Sequence, residues 1–275
     1  MANSQPVVLT IAGFDPSSGA GVTADIKTIA AHGCYGVSCI TALTVQSTQG
    51  VFRVDPVSAR TVRETLEFLA ADMTISAVHI GMLGNAEIVR AVVDFQKKHK
   101  LPHLVLDPIL KSTSGADLID AAGRKALIER LLPLASVVTP NVDEASNIAQ
   151  IQVTNTIDMR RVAGKLHQIG AVAVVVTGGH LEPAMDLLSV STGTLHQEEF
   201  TSERQQSSST HGTGCAFSTA LACNLALGKG LVEAVMLSKA YVSVAIARAR
   251  AVGRGIGPIN HLYRLEEVSE KGKSG

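Results

Sequence analysis

The sequence predicts an α/β protein built on a mainly parallel central sheet, with helices on both faces and a small antiparallel edge. Three observations predict it. Short apolar runs alternate with amphipathic helical segments over most of the chain, and strand–helix–strand repeats of this kind close as right-handed crossovers between parallel strands. The strongest run, 172–177 (VAVVVT), is apolar almost throughout, as a strand covered on both faces is. Beyond it the period changes, and 186–191 and 194–199 read as an antiparallel pair around Thr192-Gly193.

The elements follow in order. Residues 7–12 predict a buried strand, and 21–32 a helix closed by Gly33. Residues 36–45 are rich in β-branched side chains and predict a strand. In 58–71, Val62, Leu66 and Leu69 recur at helical spacing with Arg63, Glu64 and Glu67 between them, which predicts an amphipathic helix. A strand at 77–80 and a helix at 86–99 come next. Then follow strand 103–107 (HLVLD), helix 120–132, strand 137–139, a helix from about Val142, and helix 156–169 ended by Gly170. After the antiparallel pair, 206–210 is polar and loop-like, and two apolar helices, 213–227 and 231–250, complete the pattern. A length of 275 residues allows one or two domains at ~150 each. The unbroken alternation selects one domain over 1–265, with a charged tail, 266–275, that frays.

Composition narrows the function. The chain is 46% hydrophobic with no Trp and 3% aromatic residues, so the core is built from Ala, Val, Ile and Leu. A charged share of 17% excludes a disordered chain. Twenty-four basic and twenty-four acidic residues cancel, which counts against a nucleic-acid partner, since phosphates need a basic face. Cys34, Cys39, Cys215 and Cys223 form no C-x-x-C pair and have no histidines at zinc spacing. They read as free thiols of a reducing compartment. No basic-then-apolar leader and no apolar run of ~18–20 residues occurs. The expectation is a cytoplasmic protein with no membrane partner.

In sheets of this type ligands bind beyond the carboxyl ends of the strands, so the loops there carry the candidates. Gly19-Ala20-Gly21-Val22-Thr23-Ala24 matches the G-x-G-x-x-A dinucleotide pattern. It starts several residues past the strand, and Val45-Gln46-Ser47-Thr48-Gln49 offers no acid for a ribose. A backbone lining at a helix start fits better. Asp25, one turn into that helix, reads as a first-turn acid or as a site residue. The run Ser209-Thr210-His211-Gly212-Thr213-Gly214-Cys215 enters an apolar helix directly. Its unpaired N–H groups suit a phosphate or a developing oxyanion, and the same field predicts a partly ionised Cys215 at neutral pH. Thr139-Pro140-Asn141-Val142-Asp143-Glu144 reads as a capping box, with an Asn/Glu pair ordering Mg²⁺ as the alternative. Thr177-Gly178-Gly179-His180 reads as a turn or a phosphate approach. Asp107-Pro108 ends a strand at the same sheet edge, as a turn or as a carboxylate facing the site. No Walker A sequence is present.

These blocks resemble a known family. Ile11-Ala12-Gly13-x-Asp15-Pro16-Ser17-x-Gly19-Ala20-Gly21-x-x-Ala24-Asp25 is similar to the opening of the hydroxymethylpyrimidine and phosphomethylpyrimidine kinases of thiamine synthesis. Ile40 to Val51, Gly81-Met82-Leu83-Gly84, Thr139-Pro140-Asn141 with Glu144, Gly178-Gly179-His180, His211-Gly212-Thr213-Gly214-Cys215 and Gly257-Pro258-Ile259-Asn260-His261 follow in the family's order. The resemblance covers about residues 7–262 and implies a ribokinase-like three-layer fold. It implies ATP-dependent phosphorylation of an aminopyrimidine's hydroxymethyl group and then of the monophosphate, with Mg²⁺. It places Gly13, Asp25, Gln46 and Met82 at the pyrimidine, and a Gln amide offers both a donor and an acceptor to such a ring. Gly212 and Gly214 match the anion hole, and Cys215 the base. Thr177, Gly179, Thr210 and Lys239 fall on the nucleotide side. Asn141 and Glu144 match the pair that orders the metal through water, with Asp107 as a further candidate. Thr113 stands where many members carry a lysine, and Lys111 lies two residues earlier. The resemblance also implies a homodimer. Pyridoxal kinases share the fold and are the nearest alternative; an NAD-dependent oxidoreductase and a non-catalytic vitamin-binding protein are more distant ones.

Overall fold

The computed structural model describes residues 5–112, 114–179, 184–201, 207 and 209–266. Its strands are β1 (Val7–Phe14), β2 (Tyr35–Ser47), β3 (Gly50–Pro56), β4 (Ile75–Ile80), β5 (Leu104–Leu106), β6 (Val137–Val138), β7 (Ala173–Gly178), β8 (Met185–Ser191) and β9 (Leu195–Thr201). They form one sheet in the order β3-β2-β1-β4-β5-β6-β7-β8-β9. The six strands from β2 to β7 in this order run parallel. β3 pairs antiparallel to β2 at one edge, and β8 and β9 close the other. The sheet therefore has two antiparallel edges, where one is expected from sequence. β3 leaves a tight turn at Thr48-Gln49 and exposes much of its surface, Phe52 above all.

Strand alternation sorts side chains to two cores. Leu9, Ile11, Val78, Ile80, Leu104, Leu106, Val174 and Val176 face one side. There they pack on α2 (Ala59–Asp72), α3 (Ala86–His99), α4 (Ala121–Ala126), α5 (Val142–Ala149) and α6 (Thr156–Ile169). Val8, Ala77, Val105, Ala173 and Val175 face the other side, against α1 (Gly21–Ala31), α7 (Thr213–Ala226) and α8 (Leu231–Ala247). By the same alternation Thr10, His79 and Asp107 belong to the α1/α7 face. α7 is buried from Ala216 to Leu225 without interruption, as a helix apolar all round should be.

The helix expected at 120–132 is divided. α4 gives way to a π-helical turn over Leu127–Leu131 and a 3₁₀ turn over Leu132–Leu134. Pro133 has no N–H with which to continue an α ladder.

Candidate active site

The site is assembled where α1 and α7 begin. α1 starts after Ala20 and α7 after Gly212, and neither has a side-chain cap. The loop ahead of α1 is organised by Asp15. Its carboxylate accepts from the Ser17 N–H at 2.8 Å, the Ser17 hydroxyl at 2.7 Å, the Gly19 N–H at 3.2 Å and the Ala20 N–H at 2.9 Å. His211 Nε2 adds a contact at 2.9 Å. Burial pushes the Asp15 carboxyl up, but His211, Ser17 and the backbone donors outweigh it and hold it below the ordinary range. The two loops lock together here. A Cβ on Gly212, whose φ is +79°, would stand 1.8 Å from the Gly19 carbonyl oxygen. A Cβ on Gly19 would stand 2.3 Å from His211 Cδ2. Of the two glycines that resemble a dinucleotide fingerprint, Gly19 is required by this contact and Gly21 by another, since a Cβ there would stand 2.2 Å from the Gly13 carbonyl oxygen.

Cys215 lies between the two helix starts, in the first turn of α7, and the Gly21 N–H donates to its sulfur. The expectation of a partly ionised thiol is corrected. Burial first, then the carboxylates of Asp107 and Asp25, push the Cys215 thiol well above its ordinary value, and the Gly21 hydrogen bond does not offset them. Full negative charges nearby outweigh a helix end that carries a partial charge.

Behind Cys215, Asp25 is fully buried. Thr10 Oγ1 donates to its Oδ2 at 2.6 Å and Thr219 Oγ1 to its Oδ1 at 2.8 Å, with His79 Nδ1 3.3 Å from Oδ2. Both oxygens are occupied by protein groups, so Asp25 is tied into the fold by Thr10, His79 and Thr219. Gly13 and Met82 are packed against each other: a Cβ on Gly13 would meet Met82 Sδ at 2.8 Å. Gln46 reaches the same loops, with Nε2 3.2 Å from His211 Nε2 and Oε1 accepting from Thr44 Oγ1 at 3.2 Å. His211 uses its Nε2 hydrogen on the ionised Asp15, so the Gln46 amide is best satisfied turned over, with its oxygen toward His211. Gly13 and Met82 thus pack on each other, and Gln46 reaches the 211–215 loop through His211.

The metal and nucleotide candidates sit along the sheet edge from there. Asn141 and Glu144 form a complete capping box: the Asn141 N–H donates to Glu144 Oε2 at 2.9 Å, and the Glu144 N–H to Asn141 Oδ1 at 2.9 Å. Burial pushes the Glu144 carboxyl up to about 7, against hydrogen bonds from the backbone of Asn141 and Leu110. Burial and Glu144 push Asp107 up to about 8. Two buried carboxyls, of which Glu144 raises Asp107, are a hard-oxygen donor set suited to Mg²⁺ or its water shell, so the residues fit that ion. Among the described residues no three His, Cys, Asp or Glu side chains gather as a metal centre. Thr177 bridges to Asn141 across the β7 end. Lys239 donates to Asp186 Oδ2 at 2.6 Å, and Asp186 Oδ1 accepts from the Gly178 N–H at 3.0 Å. That pair brings Lys239 to the Thr177–Gly179 turn, and Thr210 lies exposed beside His211. Lys111 pairs with Asp117 at 3.6 Å, and lines a cavity of about 530 Å³ with Arg124, Lys125 and Asn147. His180 and Thr113 lie outside the described residues.

Residues that single-sequence reading did not select complete the site: Thr10, His79, Asp186, Ser218 and Thr219. Thr10 and His79 did leave a signal, as polar side chains inside strands that are otherwise apolar.

Residues 15–260 match the phosphomethylpyrimidine kinase family. The chain is 41% identical over 262 residues to the hydroxymethylpyrimidine/phosphomethylpyrimidine kinase of Haemophilus influenzae, covering 92% of this chain and 96% of that one. It is 39% identical to the thiamine biosynthesis bifunctional protein ThiED of Geobacter sulfurreducens, of whose length it spans about half (54%) while 96% of this chain is covered. A phosphomethylpyrimidine kinase structure from Clostridium difficile superimposes with a TM-score of 0.77 at 39% identity, covering 88% of this chain and all of that one. An ADP complex of Bacillus subtilis pyridoxal kinase gives 0.85 at 33%, covering 95% and 100%. Fold and site together define a small-molecule kinase of ribokinase-like architecture. Within that class the chain belongs to the phosphomethylpyrimidine kinase family.

Proposed function

We propose that the protein transfers the γ-phosphoryl group of ATP to the hydroxymethyl group of 4-amino-5-hydroxymethyl-2-methylpyrimidine, and a second one to the monophosphate, in thiamine diphosphate synthesis. The observation that carries this is the convergence of the uncapped starts of α1 and α7 on Cys215, in a chain of this family. In this reading the substrate oxygen attacks the γ-phosphorus, the bond to ADP breaks, and the hydroxyl proton passes to Cys215 Sγ in its thiolate form, the thiol's own proton having first left to solvent. Ionisation of so raised a thiol is a minor state at neutral pH, but its thiolate is a strong base, and a loose transition state asks little of a base. The N–H groups at Gly212 and Gly214 hold the transferred group. Gly13, Gln46 and Met82 hold the ring. Thr177, Gly179, Thr210 and Lys239 hold the nucleotide. Asn141 and Glu144, with Asp107, would hold Mg²⁺ through its waters, and the bound ion would supply charge neutralisation at the phosphates. The fully satisfied Asp25 braces the fold through Thr10, His79 and Thr219. A homodimer in the cytoplasm completes the reading. The free cysteines and the exposed Leu43, Val45 and Phe52 of the β2–β3 edge support it.

The pyridoxal kinase reading has one observation of its own, the closer superposition on that enzyme. Coupled ADP release against hydroxymethylpyrimidine, its monophosphate and pyridoxal decides between them. Turnover of both pyrimidines above pyridoxal is expected; preference for pyridoxal overturns the assignment. Cys215→Ala should lower kcat by ~10²–10⁴, toward the lower end, with nucleotide affinity little changed. Near-normal kcat with chemistry rate-limiting removes Cys215 as the base.

A further inference from the structure

His79 has no part in the reaction just described, yet it is a fully enclosed ionisable group beside it. It lies on β4, fully buried on the α1/α7 face. Its Nδ1 is 3.2 Å from Thr10 Oγ1 and 3.3 Å from Asp25 Oδ2, and its Nε2 is 2.9 Å from Ser218 Oγ. Thr10 already donates its hydroxyl hydrogen to Asp25. Nδ1 therefore meets only acceptors and must carry a hydrogen. The other side is decided by Ser218. Its single hydrogen is within reach of His79 Nε2, of Asp107 Oδ2 at 3.2 Å, and of the Gly214 and Cys215 carbonyls at 3.0 and 3.1 Å. With Nε2 bare, Ser218 must donate to the ring, and the Gly214 and Cys215 carbonyls in the first turn of α7 lose that donor. With Nε2 protonated, the ring donates to Ser218, whose hydrogen then serves those carbonyls, or Asp107 once it is ionised.

We propose that His79 is a positioning residue for phosphoryl transfer: a doubly protonated imidazole that ties Asp25, through Ser218, to the first turn of α7 and so fixes the frame carrying Gly212, Gly214 and Cys215. The titratable groups facing it are Asp25 from α1 and Asp107 just beyond β5, while β1 and α7 contribute the hydroxyls of Thr10 and Ser218. Burial opposes a charge on His79; the charge and hydrogen bond of Asp25, with a smaller part from Asp107 when ionised, outweigh it and raise its basicity. Thr219, one residue beyond Ser218, holds the other oxygen of Asp25. α7 is thus fastened at two successive hydroxyls, one to each side of the same buried ion pair.

The proposal's kinetic consequence rests on the kinase reading, so its first test does not. Nitrogen-15 spectra of histidine-labelled protein without ligand, with His79→Gln used to assign the signal, should show both His79 nitrogens protonated at neutral pH. A bare Nε2 there overturns the charged bridge. In turnover, His79→Gln and Ser218→Ala should each lower kcat by about 10-fold or more, the scale expected of a misplaced catalytic group. KM for ATP and for the pyrimidine should stay within about twofold. His79→Lys, which keeps a cation, should retain more kcat than His79→Gln. Loss carried by KM, or equal kcat in the Lys and Gln variants, overturns the positioning role. Ser218→Ala removes one oxygen only and gives the answer if the His79 variants do not fold. A wild-type protein inactive on all three substrates removes the kinase reading and leaves the spectrum to judge the bridge.

Discussion

The two faces of the sheet begin their helices differently. On one face every helix is capped by its own side chains: Ser58 for α2, Asn85 for α3, Asp120 for α4, Asn141 for α5 and Asn155 for α6. On the other, α1, α7 and α8 start after Ala20, Gly212 and Gly230 with no side-chain cap. The capped face buries a continuous aliphatic core. The uncapped face carries buried polar groups through its core: Thr10, Asp25, His79, Ser218 and Thr219 near the site, and Thr28, His32 and His261 farther along α1. A helix that satisfies its first-turn donors internally has no free N–H there for an anion. The difference separates a face that supplies mainly stability, Asn141 and Glu144 at the start of α5 apart, from one whose helix starts are open to an anion.

The contrast is broken most severely at Gly212. Gly212→Ala puts a methyl group where the Gly19 carbonyl stands and an L side chain at a positive φ. Removing one donor of an anion hole costs about 10²–10³ in kcat, and Gly212→Ala should reach or exceed that while melting within a few degrees of wild type. Activity near wild type would show that the two loops need not touch. The pH dependence of stability sharpens the contrast next. Asp107 and Glu144 have folded values raised to about 8 and about 7, so their favourable contribution is full below the ordinary carboxylate range and is lost as pH rises through those values. Metal-free protein should melt progressively lower between pH 4.5 and 8, and Asp107→Asn should flatten that decline; an unchanged slope would mean that Asp107 already ionises in the ordinary carboxylate range in the folded protein. The smallest effect belongs to the capped face. Asn155→Ala removes the acceptor of the Asp158 N–H and should cost about 1 kcal/mol of stability, read from urea unfolding, with kcat unaltered. A fall in kcat would mean that the capped face also shapes the site.

How much could be read from sequence follows from range. The helices with strong periodicity and local stops, such as α3 and α6, begin and end where their side chains indicate. β3 has no buried face to print an alternating pattern, since Phe52 and Arg53 both point to solvent, and the sequence marks no element there. The π turn at Leu127–Leu131 changes hydrogen-bond register without changing which residues are apolar, so no period announces it. In the site, Gly212, Gly214 and Cys215 are contiguous and visible. The His79–Ser218 and Asp25–Thr219 contacts join residues 139 and 194 positions apart, and nothing local at either end names the partner. The ionisation of Cys215 went astray for the same reason. The helix start that lowers it is local, and the carboxylates that raise it arrive from other strands.

The lock between Gly19 and Gly212 also sets a timetable. Asp15 and His211 are separated by 196 residues. At ribosomal rates of ~5–20 residues per second, the opening loop waits about 10–40 s for its counterpart. Through that interval Asp25 and His79 exist without the hydroxyls of α7, and the central strands β1 and β4 must stay unclosed or bury charge unpaired. A nascent chain stalled before α7 is therefore a substrate for chaperones and proteases. The last quarter of the polypeptide both completes the pocket and commits the fold.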